Sequence, residues 1–259
     1  MEIRDWALQI LSSDRLEDKL FCPEELTDYQ PGPPVFWKEP VRPVGMGFHR
    51  HKTRDKLPKA RQLHLPDNRA VCLHRFAGHE LLAVEIMAYA LLAFPEAPAS
   101  FRRGIAHTLK EEQEHVRRYQ KRMEEMGLLF GDLPLYKHFW AYVPYLTSPL
   151  KYVSLMSLTF EMANLDFAPY YGTLFAQNGD EVSSQLMQGI FIDEISHVSF
   201  GCRWLKNFKD PAVTNWEAWK DCLPPLMTPT RAKGPQFFPE HRRLAGIDED
   251  WIELLKESK

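Results

Sequence analysis

The chain has 259 residues, long enough for one large domain with a sizeable core or for two small domains. Hydrophobic residues make up 44% and charged residues 26%, as in ordinary soluble globular proteins. The 32 basic and 35 acidic side chains leave a formal net charge of −3, which gives no electrostatic reason to expect a nucleic acid or an anionic membrane as partner.

The N-terminal quarter changes character after its first residues. Apolar residues among charges predict a short amphipathic helix over residues 5–21. Repeated prolines over residues 23–66 then predict an extended arm that lies over a core, with Phe36 and Trp37 as its anchors. The basic stretch at residues 49–61 is interpreted as a solvated loop, with a substrate-facing or partner-facing loop as the alternative.

Four long helices are predicted after the arm. Asp67 is a candidate N-cap for the first, and Gly127 a C′ glycine for the second. Ser148 followed by Pro149 predicts the start of the third, which ends before Gly179. The four helices are expected over residues 67–94, 100–126, 148–178 and 180–208.

The lengths of the connections predict the fold. Short links make two antiparallel hairpins, and the link at residues 127–147 is long enough to return along a bundle. One long crossover between two hairpins is the ferritin-like arrangement. We therefore expect an all-α protein with a ferritin-like four-helix bundle at residues 67–208. Residues 1–66 form a helix and a proline-rich arm, and residues 209–259 a proline-rich extension with a short helix at residues 249–256.

The second and fourth helices each carry a Glu-x-x-His motif. These are Glu112 with His115, and Glu194 with His197. Residues i and i+3 share one face of a helix, so each motif points a carboxylate and an imidazole the same way. A buried di-metal site takes such a pair from two helices of a bundle.

The first and third helices carry a glutamate at a matching distance. Glu80 lies 32 residues before Glu112, and Glu161 lies 33 residues before Glu194. Antiparallel pairing brings each of them level with a motif. Glu85 is an alternative to Glu80, but its spacing breaks the symmetry with the second half, so Glu80 is preferred.

The apolar neighbours of these acids favour metal binding. Buried carboxylates are costly unless they are paired or coordinated. Four glutamates carry a charge of −4, which two divalent ions balance. Oxygen-rich ligation with one imidazole per ion suits iron or manganese. The predicted ligands are Glu80, Glu112, His115, Glu161, Glu194 and His197.

Further acids are predicted to lie beside these ligands and to orient them, without binding the metal ions themselves. Glu85 follows Glu80 by five residues, as Asp166 follows Glu161, so the second half repeats the first. Metal-bound imidazoles commonly donate their other N–H to a carboxylate. Glu111 is therefore expected to meet the second-half histidine and Asp193 the first-half histidine, the alternative being plain surface acids. 

Tyr119 lies two helical turns after Glu112 on the same stripe. It is a candidate to hydrogen-bond a ligand or to relay an electron. Ordinary core packing is the alternative.

Five stretches resemble a known family and together span about residues 74–205. They are residues 79–85, 111–115, 131–134, 160–169 and 193–204. The sequence is similar to ferritin-like proteins grouped as a domain of unknown function. These lie within the di-iron carboxylate superfamily, with rubrerythrins, ribonucleotide reductase small subunits and bacterial monooxygenase subunits. The resemblance implies a ferritin-like bundle and the same six metal ligands. The chain departs from the family pattern at Gly78 and at Ala163–Asn164, where many members carry histidine and Arg-Gly.

The favoured function is an oxidoreductase that activates O₂ or peroxide at two iron ions to oxidise a small organic substrate. Mixed manganese–iron or two manganese ions are alternatives. Glu112, Glu194 and Tyr119 are the predicted catalytic residues. A separate electron donor and a monomer or homodimer are expected.

The segment Thr228–Gly234 is either an anion-contacting loop or a plain surface loop.

Other functions stay open. They are an iron-handling or peroxide-detoxifying protein without an organic substrate, a tRNA-modifying hydroxylase, and a metal-free helical scaffold. The net charge of −3 weighs against tRNA binding. 

The four cysteines are scattered without a Cys-x-x-Cys pair, which fits a reducing cytosol and argues against an iron–sulfur domain. Neither a signal peptide nor an 18-residue apolar run is seen, so we expect a cytoplasmic protein without a membrane span.

Overall fold

A computed structural model describes residues 1–49 and 56–258. Helices are the regular elements throughout these residues, and the only β-type pairs in them are isolated bridges. The prediction of an all-α protein is confirmed. The chain divides into two compact units, Met1–Val143 and Pro144–Lys259. Residues 50–55 of the predicted basic loop lie outside the described part of the chain, and the predicted three-part division of the chain stays a prediction.

The first unit contains a long helical hairpin. Helix α3 spans Pro66–Ala93 and helix α4 spans Ala99–Glu125, and the two pack along their length. Because the link between them is short, they run antiparallel. Its other helices are α1 (Ile3–Ser12), α2 (Leu16–Leu20) and a 3₁₀ turn at Ala60–Gln62. A further 3₁₀ helix covers His138–Tyr145.

Both ends of the hairpin show how the sequence sets helix limits. Helix α3 starts with Pro66 at its first position, so its N-cap is Leu65 and the predicted cap, Asp67, falls inside the first turn. Helix α4 ends as predicted. Gly127 has φ +81°, its N–H donates to the Glu124 carbonyl, and the Leu128 N–H donates to the Met123 carbonyl, which is a Schellman motif.

The predicted single helix over residues 5–21 is wrong, because the chain breaks at Ser13 into α1 and α2. The Ser13 hydroxyl accepts a hydrogen bond from the Arg15 N–H at 3.0 Å and donates to the Asp18 carboxylate at 2.8 Å. These side-chain bonds offer the backbone an alternative to continuing the helix.

The N-terminal arm is held by other contacts than predicted. Phe36 is 71% exposed and anchors nothing, and Trp37 is only half-buried. The Trp140 indole N–H instead donates to the Lys38 carbonyl at 3.0 Å, and the Val41 N–H donates to the Leu11 carbonyl at 2.8 Å. Backbone N–H and C=O groups need hydrogen-bond partners when they are buried. These hydrogen bonds therefore hold the arm in place of the predicted anchors Phe36 and Trp37. Apolar contact comes from Met46, in a cluster of Leu20, Met46, Leu81, Val116 and Leu135.

Helix α3 is the most apolar element of the first unit. By length and composition it could cross a membrane, and 83% of its most apolar 18-residue stretch is buried inside the protein. This burial is consistent with a core helix of a soluble protein.

The second unit contains the other long hairpin. Its first arm joins α5 (Pro149–Leu155), a π-helical segment (Met156–Glu161) and α6 (Met162–Gln177), and its second arm is α7 (Glu181–Phe208). Ser148 caps α5 as predicted, by accepting from the Lys151 N–H. Asp180 caps α7 by accepting from the Ser183 N–H at 3.0 Å. The predicted third helix is therefore continuous but not α-helical throughout.

The C-terminal extension has more helix than predicted. The expected final helix is present as α10 (Glu249–Glu257). The prediction missed α8 (Asn215–Asp221), a 3₁₀ turn at Pro229–Ala232, and α9 (Pro239–Leu244). Two of the prolines that suggested irregular chain, Pro229 and Pro239, stand in the first turns of the last two of these elements, where proline is tolerated. A capping box of Thr214 and Glu217 starts α8 and was readable in the sequence.

His74 makes the stability of the first unit depend on pH. Its Nε2 accepts from the N–H groups of Gly131 at 3.1 Å and Leu133 at 3.4 Å, which requires the neutral ring. Burial lowers the pKa of His74 to about 4 from the ordinary 6.5, and the charge of Arg75 adds to this. Between these values the unfolded chain binds a proton that the folded chain refuses, so stability is complete above pH 6.5 and falls towards pH 4.

We predict that the lowered pKa of His74 makes the free energy of unfolding about 2 kcal/mol smaller at pH 5 than at pH 7. When urea unfolding is measured at both pH values, His74→Gln should lose less free energy of unfolding on going from pH 7 to pH 5 than the natural protein does. The reason is that an amide oxygen accepts hydrogen bonds without titrating. Equal losses in the two proteins would contradict this assignment.

Candidate metal centre

The first unit brings three of the predicted ligands together. Glu80 lies near the middle of α3, and Glu112 and His115 lie near the middle of α4, at the same level of the antiparallel pair. All three are at most 6% exposed. One ligand atom from each lies within 4.8 Å of the others, and His115 Nδ1 is 3.4 Å from Glu112 Oε2.

The second unit brings together the matching three. Glu161 ends the π-helical segment, and Glu194 and His197 lie near the middle of α7. All three are buried. His197 Nδ1 is 3.5 Å from Glu194 Oε2, and a Glu161 oxygen lies within 4.8 Å of a His197 ring nitrogen. The Glu-x-x-His motif thus adopts nearly the same geometry in both units.

Each unit therefore holds a buried triad of two carboxylates and one imidazole. The first triad is Glu80, Glu112 and His115, and the second is Glu161, Glu194 and His197. Carboxylates are costly to remove from water, and a bound cation offsets that cost. Oxygen and imidazole nitrogen are ordinary ligands of divalent metals, so the donor set of the buried groups fits a metal ion.

The π-helical segment positions Glu161. A π turn changes the hydrogen-bond pattern of the backbone around it, and here the Ser154 carbonyl accepts from the Thr159 hydroxyl at 2.7 Å and from the Trp219 indole at 3.1 Å. Helix α7 approaches closely at Gly201, where an added Cβ would lie 2.5 Å from the Ser157 Cβ. Sequence analysis missed this segment, because serine and threonine occur in ordinary α-helices as well.

A further contact in the second triad was also missed. The Asn164 side-chain amide donates a hydrogen bond of 2.7 Å to Glu194 Oε1. Asn164 lies on α6, one turn after Glu161. The only sequence signal was its spacing of three residues from a predicted ligand.

Glu85 forms ion pairs with two cations, and its predicted role towards the metal ligands stays a prediction. Its carboxylate is buried between two cations, with Lys19 Nζ at 3.1 Å and Arg42 Nη2 at 2.5 Å. Burial lowers the pKa of Lys19, and the charge of Glu85 opposes that shift. Arg42 comes from the proline-rich arm, so Glu85 fixes the arm to α3.

Asp166 likewise forms a buried ion pair, and its predicted role towards the metal ligands also stays a prediction. Its two oxygens accept from Arg242 at 2.7 and 2.9 Å, and both side chains are fully buried. The backbone N–H groups of Gly234 and Phe238 donate to the same carboxylate at 2.9 and 3.0 Å. Asp166 therefore ties the C-terminal extension to α6, as Glu85 ties the N-terminal arm to α3.

The segment Thr228–Gly234 has internal partners for its basic groups. The Arg231 guanidinium lies 5.0 Å from the centre of the Phe160 ring. Lys233 donates to the backbone carbonyls of Lys256 at 3.2 Å and Ser258 at 2.8 Å. Contact of this segment with an anionic substrate stays a prediction.

The other predicted support residues lie on the helices that carry the triads. Tyr119 is buried in α4, with its ring centre 6.1 Å from that of Phe76. Glu111 and Asp193 are half-buried, and Glu111 lies 3.6 Å from the His107 ring. The roles predicted for these three residues towards the ligands stay predictions.

The family model described as "Protein of unknown function (DUF455)" matches residues 8–253. The chain belongs to this family. Membership of a family grouped as a domain of unknown function was predicted and is confirmed. No curated protein and no solved structure matches the chain. The range that matches DUF455 includes both triads and extends over Arg42 and Arg242, so the match covers most of both extensions as well as the long helices.

The pair of Asp166 and Arg242 gives a test of how this DUF455 protein holds its C-terminal extension. Arg242→Met leaves a buried carboxylate without its cation, and we expect the free energy of unfolding to fall by about 3–5 kcal/mol. The neighbouring Arg243 is exposed and pairs with Glu249 at the surface, so Arg243→Met should have a much smaller effect. Urea unfolding of the three proteins measures the difference, and equal losses would refute the anchoring role.

Proposed function

We propose that the two triads together hold two iron ions and that the protein is an oxidoreductase, which uses O₂ or peroxide to oxidise a small organic substrate. The observation that carries the proposal is the occurrence of the same buried triad, two glutamates and one histidine, in each unit. The ferritin-like arrangement of the four long helix arms and membership of the di-iron carboxylate superfamily are parts of the same proposal.

Charge and ligand chemistry support two ions. The four glutamates of the triads carry a charge of −4 when ionised, and two ferrous ions carry +4. Each ion has one imidazole and several carboxylate oxygens available, a set that suits iron or manganese better than copper or zinc. Iron is preferred because ferrous ions, when bound, would supply electrons to oxygen, which the carboxylates and imidazoles of the triads cannot do. Mixed manganese–iron or two manganese ions are the alternatives.

The protein's own residues set the conditions for that chemistry. Glu112 and Glu194 each hold a carboxylate beside the histidine one turn later, at 3.4 and 3.5 Å, so the ligands are arranged before metal arrives. Leu81 and Val198, beside ligands of the two triads, are fully buried and help keep water away. Tyr119, two turns along α4 from Glu112, is proposed to donate a hydrogen bond towards a ligand.

The source of electrons is proposed to be a separate donor protein. A built-in iron–sulfur donor needs several cysteines close together, and the four cysteines of the chain are scattered without a Cys-x-x-Cys pair. The proposal places the protein in the cytoplasm as a monomer or homodimer, with a small organic molecule and O₂ or peroxide as its reactants.

Metal content gives the first test. The protein, purified without a chelator, should contain about two iron ions per chain, as the charge balance requires. Glu161→Ala and His197→Ala should each lose one ion or both. Glu114→Ala is the matched control, because Glu114 lies inside a Glu-x-x-His motif but its side chain is 46% exposed. Elemental analysis of the four proteins measures the result, and equal metal content in all of them would refute the ligand assignment.

Oxygen chemistry gives the second test. Metal-free protein loaded with ferrous ions under anaerobic conditions should consume O₂ on mixing and develop an iron-dependent absorbance change. His197→Ala should do neither at a comparable rate, and Glu114→Ala should behave as the natural protein does. If the protein binds iron but consumes no O₂, it is a metal-binding protein and the proposed oxidoreductase activity is wrong.

A further inference from the structure

The two oxygens of the Glu194 carboxylate have different neighbours. Oε1 accepts the 2.7 Å hydrogen bond from the Asn164 amide, and Oε2 lies 3.5 Å from His197 Nδ1. A carboxylate can bind a metal through one oxygen or through both. An amide donor on one oxygen occupies it and fixes the plane of the group, so the arrangement favours binding through the other.

The backbone explains why Asn164 reaches this carboxylate. Asn164 follows Glu161 by three residues in the first full turn of α6, so both side chains leave the same face of the helix. That face is set by the preceding π-helical segment, since a π turn changes the phase of every residue after it. Bonds from Thr159 and Trp219 to the Ser154 carbonyl hold the π turn, which makes the position of Asn164 a consequence of the segment.

In the first unit, the position that corresponds to Asn164 carries a residue without an amide. The residue three positions after Glu80 is Ala83, a buried side chain without a hydrogen-bond donor. The two triads therefore share their ligand types and differ in the residue that stands one turn after the first glutamate. This difference would give the two proposed metal sites unequal surroundings although their ligands are of the same types.

We propose that Asn164 is a positioning residue, which holds Glu194 as a one-oxygen ligand through Oε2 and so distinguishes the second triad from the first. The inference rests on the proposed function, because it requires that the triads bind metal. Removing a residue that orients a metal ligand typically costs about 10–100-fold in metal affinity. We expect that loss for one ion of the two, with the other ion unaffected.

Cobalt(II) is the probe, because its visible absorption reports the number of ligands and it reacts slowly with oxygen. Metal-free natural protein, Asn164→Ala and Asn164→Leu are titrated with cobalt(II) by calorimetry and by visible spectroscopy. Leucine has about the shape of asparagine and lacks its amide, so it keeps packing and removes the donor. Asn178→Ala is the control, since Asn178 also lies at α6 but donates to the Leu174 carbonyl, away from the triad.

Both Asn164 variants should bind one cobalt ion as the natural protein does and the other about 10–100-fold more weakly. Their visible bands should also weaken, because a released Glu194 can bind through both oxygens and raise the coordination number. A purely structural role of Asn164 would change the melting temperature but not this spectrum. Asn178→Ala should match the natural protein in affinity and spectrum.

Glu194→Ala separates the two ways in which the experiment can fail. If Glu194→Ala loses a cobalt ion while both Asn164 variants bind and absorb as the natural protein does, the positioning role is wrong and the proposed metal site stands. If the natural protein and Glu194→Ala take up cobalt equally or not at all, the proposed function is wrong and the inference is lost with it.

Discussion

A carboxylate that leaves water must gain a cation, a set of hydrogen bonds or a metal, and this requirement governs the structure. The long helices bury acids on otherwise apolar segments. Two of these acids, Glu85 and Asp166, are neutralised by arginines of the extensions. Four others form the triads together with histidines: Glu80, Glu112, Glu161 and Glu194. Ion pairing therefore accounts for the first group, and metal binding is the corresponding proposal for the second.

The π-helical segment shows what the second triad requires of its backbone. Next to the wider turn, the Ser154 carbonyl accepts hydrogen bonds from the side chains of both Thr159 and Trp219. Such π turns are rare in proteins, and those that do occur are frequently found at functional sites. Trp219 belongs to α8, in the C-terminal extension, so that extension supports the position of Glu161 as well as covering the helices. The extension is thus part of the site's support.

Sequence patterns predicted the long helices well, because their ends carry local signals. Gly127 and Ser148 act where their chemistry indicated, and the spacing of the glutamates and histidines predicted which residues meet within each unit. The π turn was not predictable, because one of the side chains that hydrogen-bond to the Ser154 carbonyl, Trp219, is distant in sequence and the other, Thr159, also occurs in ordinary α-helices. Glu85 and Asp166 were recognised as a repeat, but their arginine partners were not predicted, since these residues are distant in sequence.

The arginines also show that the repeat is more than a copied hairpin. Arg42 precedes its acid by 43 residues, whereas Arg242 follows its acid by 76. The two cations thus come from opposite ends of the chain, and neither belongs to the repeated helix pair. A carboxylate buried at either position requires a cation, whichever part of the chain supplies it. The triads likewise match in their glutamates and histidines and differ in the residue beside them, which is Asn164 in one unit and Ala83 in the other.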